Sequence, residues 1–165
     1  MASRVALPGS GGTGDVAGDV WSAAAIDKLP GGIIGYGYAS GQSGITSAVD
    51  ITGATTTCTV GTSRLLRIAW CLDCGNTVAQ GATETFRVYI LRDGSVIEQY
   101  DYVANPGAGT NQFTCSGFFL DNDPGAGAHT YKLQGGRSAT ATGSFTILAG
   151  SSEPVIVVSD EGPNF

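Results

Sequence analysis

Charge is scarce in this chain. Asp, Glu, Lys and Arg supply 13% of its 165 residues, about half the usual share of a globular protein. Cations are scarcest, with 8 Lys and Arg against 14 Asp and Glu and a net charge of -6. That balance repels phosphate backbones and argues against nucleic acid as a partner. Long apolar runs are missing too. No stretch reaches the roughly 18 consecutive apolar residues of a membrane helix, so no membrane insertion is expected. No basic region followed by an apolar run opens the sequence, so no secretory signal is read and assembly in a cytoplasm is expected. Cys58, Cys71, Cys74 and Cys115 are the four cysteines. In a reducing compartment they are expected to be buried thiols.

The motifs of catalysis and cofactor binding are also incomplete. Cys71-Leu72-Asp73-Cys74 has the spacing of half a zinc site, but Cys58 and Cys115 stand alone and His129 is the single histidine. Small residues at a strand end explain that spacing better than a metal does. The glycine-rich stretch from Gly9 to Asp15 lacks the closing Gly-Lys-Ser/Thr of a phosphate loop and has no strand before it. Asp121-Asn122-Asp123-Pro124-Gly125 begins like a calcium loop, yet the later bidentate Glu is absent. Asp, Asn, Pro and Gly are the residues of an Asx-type turn between strands. No Gly-x-Ser-x-Gly elbow accompanies His129, which reads as a structural strand residue. Glu84, Asp93, Glu98 and Asp101 offer carboxylates for a glycosidase pair, but a solvated face is the simpler reading. No catalytic residue, metal or cofactor is therefore predicted, and the chain is read as non-enzymatic.

What the chain does contain is glycine, 26 residues of it, and 42% hydrophobic residues. At this length it reads as one all-β domain behind an arm. Residues 1–28 are polar and Gly-rich at first and predict an anchoring arm that orders by docking on a partner chain. Within it Gly18 to Leu29 predicts a short helical turn, capped by Asp19 or Ser22 and ended by Pro30. Trp21, Ile26 and Leu29 form its sticky side.

Residues 29–165 read as a single antiparallel β-sandwich, jelly-roll-like. Strands are expected at 33–39, 45–50, 55–60, 64–73, 84–92, 95–103, 111–120, 128–135, 140–149 and 154–158. In the clearest, Leu66, Ile68 and Trp70 share one face, and Leu65, Arg67, Ala69 and Cys71 the other. Arg92-Asp93-Gly94-Ser95 predicts a tight hairpin of the primed type. Six tyrosines, Tyr36, Tyr38, Tyr89, Tyr100, Tyr102 and Tyr131, stand on or beside strands. Tyr100 and Tyr102 share a strand face. They are candidate ligand-facing aromatics for a host-surface glycan, or equally the rim of a sandwich core or subunit contact.

Three places carry a resemblance. Leu29-Pro30-Gly31-Gly32-Ile33-Ile34-Gly35-Tyr36 resembles the "LPGG-x-IGY" opening of β-domains in tailed-phage virion proteins, especially those of phages infecting actinobacteria. There the opening is followed by a Gln-containing turn and an acidic-Leu/Ile-Thr-Gly step, here Gln42 through Ile45 and Asp50-Ile51-Thr52-Gly53. Ala128-His129-Thr130-Tyr131-Lys132-Leu133 is similar to their "G-x-HTYKL" strand. Val158-Ser159-Asp160-Glu161-Gly162-Pro163 is similar to their "VEDIGP" close, with Glu161 in place of an aliphatic residue. Together the motifs span most of residues 29 to 163. The resemblance implies a non-enzymatic virion protein, either a minor tail protein or a head decoration or fibre protein. The cysteines depart from the family pattern.

Such a protein would meet copies of itself, with a homotrimer expected by analogy, and other virion proteins. The leading expectation is a surface-exposed minor tail protein located in the virion. A capsid decoration protein is the alternative, and a carbohydrate-binding module for host attachment is the alternative of another class.

Overall fold

The computed structural model describes residues 31–77, 84–104, 111–138, 143–148 and 155–164. The predicted arm, its helical turn and Trp21, Ile26 and Leu29 lie outside them. Ten strands follow one another: β1 (Gly32–Gly37), β2 (Gln42–Ile45), β3 (Val49–Val60), β4 (Arg64–Thr77), β5 (Glu84–Arg92), β6 (Ser95–Ala104), β7 (Asn111–Asn122), β8 (Gly127–Arg137), β9 (Ser144–Ile147) and β10 (Ile156–Pro163). They form two antiparallel sheets, the sandwich expected from the alternating pattern.

Strand β4 organises the larger, six-stranded sheet. Its even positions Leu66, Ile68, Trp70, Leu72 and Cys74 are buried, while Arg67, Cys71 and Asp73 point out. A period of two over this length commits one whole face to the core. Along one edge β4 pairs with β7 from Leu65 to Asn76. Its other edge is shared end to end by β10, opposite Arg64–Trp70, and β9, opposite Cys74–Thr77. Beyond β10 lies β1, and beyond β9 lies β2. The smaller sheet runs β3-β8-β5-β6. Phe86, Val88 and Ile90 of β5 and Tyr131 and Leu133 of β8 face the core. Phe86, Phe113 and Phe145 meet there with ring centroids 5.0 to 6.2 Å apart.

The β5–β6 hairpin turns through Asp93 and Gly94 with φ of 51° and 85°. Positive φ at both central residues is what a type I′ turn requires. His129 then pins the turn to β8. Its Nδ1 lies 2.7 Å from Asp93 Oδ2 and its Nε2 3.2 Å from the Gly125 carbonyl, while the Thr130 N–H donates to Asp93 Oδ1.

Three expectations need correction. The expected strand 45–50 is broken: Ile45 ends β2 against β9, and Val49 starts β3 in the other sheet. Cys71 is an exposed thiol, because odd positions of β4 face outward; Cys58, Cys74 and Cys115 are buried. Glu84, expected on a solvated face, is buried at the start of β5, where its Oε1 accepts the Gly143 N–H.

Carboxylates on the outside of the smaller sheet and its hairpin predict an acid limit. Hydrogen bonds from Lys132 and then Gln134 hold Asp50 below its usual value. Those from His129 and then Thr130 do so for Asp93, and that from Arg87 for Asp101. A depressed folded value gives stability that is present above the unfolded carboxylate value of about 3.9 and is lost as pH falls through the folded value. These groups are well exposed, so each contributes below about 1 kcal/mol. Thermal melts should hold steady from pH 7 to about 5 and fall toward pH 2.5. The triple variant Asp50→Asn, Asp93→Asn, Asp101→Asn should show a shallower fall. An equally steep one would remove these pairs as its cause.

Candidate interaction surface

The two outer faces of the sandwich differ in character. Across the smaller sheet, register places Asp50, Gln134, Tyr89 and Gln99 in one row. Arg87 pairs Asp101 on the neighbouring strands, Lys132 and Gln134 each reach Asp50 at 2.8 Å, and the Thr57 and Thr130 hydroxyls meet at 2.9 Å. Paired polar groups dominate here, and the exposed apolar side chains of this sheet, Val96 and Val103, are confined to the edge strand β6.

The six-stranded sheet presents the opposite. One row across four strands reads Tyr36 (β1), Val157 (β10), Ala69 (β4) and Phe118 (β7). The next reads Ile33, Ser159, Arg67 and Leu120. Ile33 is 67% exposed, Tyr36 58%, Phe118 51% and Leu120 45%. At a strand spacing of about 4.8 Å these rows span roughly 14 Å of sheet. Tyr38 extends the patch, edge-on to Tyr36 at a centroid distance of 5.6 Å. Arg67 lies within it, its guanidinium carbon 4.8 Å from the Phe118 ring centroid. No carboxylate pairs with Arg67 among the described residues, whereas Arg64, Arg87, Arg92 and Lys132 each have one. The Cys71 thiol opens beside the patch, opposite Ser116. The exposed apolar side chains thus stand in two groups, Ile33 and Tyr36 on β1 and Phe118 and Leu120 on β7, with Val157, Ala69, Ser159 and Arg67 between them.

Tyr100 and Tyr102 sit elsewhere, in the seam between β6 and the free edge of β7. The Tyr100 hydroxyl donates to the Phe118 carbonyl at 3.2 Å, and the Tyr102 hydroxyl to the Ser116 carbonyl at 2.9 Å. Trp70 Nε1–H donates to the Tyr102 oxygen at 2.9 Å, and the Tyr100 ring packs 4.7 Å from Trp70. Burial pushes both phenols above their usual pKa. Their polar tips thus close one side of the sandwich, and a capped edge strand is protected from pairing with another chain.

Other singled-out residues are engaged structurally. Cys71 and Cys74 face opposite sides of β4, as residues three apart on a strand must, and do not converge on one ion. Cys74 and Cys115 are both buried in the core, where the neighbouring Cys74 thiol and then burial push the Cys115 thiol up. Asp121 is taken by Arg92 and by the Tyr131 hydroxyl. No cluster of three or more His, Cys, Asp or Glu fit to hold a metal occurs among the described residues. A hollow of about 260 Å³ beside β4 and β7 is lined by Asp73, Cys74, Gln112, Phe113, Thr114 and Leu148. Its one carboxylate, Asp73, accepts the Thr114 hydroxyl at 2.9 Å.

No protein-family model matches the chain, and no curated protein matches it. Among solved structures it is similar to a chain in the structure of infectious bursal disease virus Gt strain, at 12% identity and a TM-score of 0.32, over 96% of this chain and 43% of that one. It is similar also to a mutant VP2 protein of infectious bursal disease virus in T=1 particles, at 12% identity and a TM-score of 0.28, over 96% of this chain and 45% of that one. The chain spans less than half the length of either.

Proposed function

We propose that this chain is a non-enzymatic structural subunit of a tailed-bacteriophage virion, a surface-exposed minor tail protein that works as an oligomer with itself and with other virion proteins. The observation that carries the reading is the one-sided sandwich: a polar outer face on the smaller sheet and an apolar one, from Ile33 to Leu120, on the larger. A domain built to be surrounded by water has no use for that second face. A subunit packed among neighbours buries it, and each of these half-exposed side chains, once covered, contributes roughly 1–2 kcal/mol of apolar burial. The three sequence motifs point to the same setting. Closed symmetric assemblies are the usual outcome for such subunits, and the trimer is proposed by analogy with similar virion sandwiches.

The test is to trace the chain in cryo-electron microscopy maps of purified particles. Density on the tail supports the reading. Regular density on the capsid would replace the tail with head decoration, and absence from particles would remove both.

A further inference from the structure

The apolar face of the six-stranded sheet and the sequence ahead of β1 complement one another. We propose that residues 15–29 of a second copy lie across this face, with Trp21, Ile26 and Leu29 on Phe118 and Leu120 and with the carboxylates of the segment at Arg67. This names the partner of the surface described above and rests on the reading that copies of the chain assemble.

Charge complementarity is the first argument. Arg67 stands between Leu120 and Ser159, with Phe118 under its guanidinium and no carboxylate partner among the described residues; the Glu161 carboxylate nearby accepts the Ser159 hydroxyl instead. The sequence ahead of β1 holds carboxylates in an apolar setting to match it. Asp19 and Asp27 flank the stretch that holds Trp21 and Ile26. A cation on an apolar surface, facing an acidic and apolar segment, fixes register as well as contact.

Length is the second. Thirty residues precede the described domain. Fifteen residues, extended, reach up to about 50 Å, several times the roughly 14 Å width of the patch. The segment can therefore leave its own domain and still cross the face of another.

The entry of the chain into β1 is the third argument, and it favours a second copy over the same one. A Cβ at Gly31 would lie 2.7 Å from Asp160 Oδ2, so the backbone there is pressed against the Asp160 carboxylate. That carboxylate is bound by Arg64, at 2.7 Å. Arg64 and Arg67, three apart on β4, point to opposite faces. Gly31, the first described residue, thus lies on the Arg64 side of the sheet and not on the Phe118 side, which favours a second copy as the source of the segment.

The native Cys71 thiol reports on this contact, because it is the exposed cysteine of the four and borders the patch. The experiment alkylates the full-length chain with iodoacetamide over a dilution series, with sedimentation velocity on the same samples. Three chains are compared: wild type, the double variant Trp21→Ser, Ile26→Ser, and the face variant Arg67→Glu, each checked for native β signal by circular dichroism. In wild type, labelling should be slow in the assembled state and about tenfold faster once dilution gives monomer, as expected for a site shielded only by a partner. Both variants should label at the fast rate at concentrations where wild type is protected. Dilution-dependent protection that survives in the Trp21→Ser, Ile26→Ser chain would overturn the inference and leave assembly standing. Protection that the double variant abolishes but dilution does not would place the segment on its own domain, and overturns it too. Fast labelling of a monomeric wild type at every concentration would remove the assembly reading itself.

Discussion

Replacing Asp121 with alanine is expected to lower the unfolding free energy by about 2–3 kcal/mol, since Tyr131 is buried while Arg92 keeps part of its side chain in solvent. Asp121 is 5% exposed at the end of β7, in the six-stranded sheet. From the smaller sheet, Arg92 Nη1 donates to both of its oxygens at 2.7 and 2.8 Å, and the Tyr131 hydroxyl donates to Oδ2 at 2.7 Å. One carboxylate therefore ties β7 to β5 and β8 across the layer. Tyr131 is fully buried, and burial, with Asp121 next to it, drives its phenol well above the usual tyrosine range. Removing the carboxylate strands a cation and a buried phenol together, and each unpaired group costs its desolvation. Urea unfolding of Asp121→Ala should show a lower midpoint at an unchanged slope. The triple variant Asp121→Ala, Arg92→Met, Tyr131→Phe should recover much of the loss, since no polar group is then left without a partner. A loss below about 1 kcal/mol for the single variant would show that water reaches these groups and that the tie is weak.

Much of the fold was legible because the longer strands alternate cleanly. The Leu66-Ile68-Trp70 face, the Phe86-Val88-Ile90 face and the Asp93-Gly94 turn all appear in the structure where their patterns put them. Strand β2 was not legible. It is four residues long, includes Gly44 in a left-handed conformation, and is held by pairing with β9, a hundred residues on. Local pattern carries no information about such a partner. The exposure of Cys71 was written in the alternation that puts it beside Arg67. Strand geometry, not the redox compartment, decides which thiol is buried.

The candidate surface was hidden for a related reason. Tyr36, Val157, Ala69 and Phe118 become a row only through three strand pairings that no single segment encodes. Phe118 and Phe119 illustrate the limit: adjacent in sequence, they face opposite sides of β7, one outward and the other packed against the core. The tyrosines of β6 could be read from sequence as a pair on one face. Whether that face met a ligand or the rim of the core depended on where the edge of β7 lies.

That seam carries the second large expected effect. Trp70→Ala should cost about 3–5 kcal/mol, the range for deleting a buried aromatic. The indole is 3% exposed, packs on Tyr100 and donates to Tyr102. It also covers Gly117 on the paired strand, where an added Cβ would stand 2.5 Å from Trp70 Cζ2. Gly117→Ala should therefore cost about 1–3 kcal/mol by overpacking in the wild-type chain. In the Trp70→Ala chain the same methyl enters space that the indole has vacated, so the double variant should be more stable than the two single losses predict when added. Urea titrations of the four chains measure this coupling. Simple additivity would mean that the strand moves aside and that Trp70 does not fix the distance between β4 and β7. The outcome bears on function, because the outer side of β7 carries Phe118 and Leu120. If Trp70 and the two tyrosines clamp that strand, hydrogen exchange along β7 should speed up in Trp70→Ala more than exchange along β8. The surface proposed to meet a neighbouring copy would then owe its shape to a seam on the other side of the same strand.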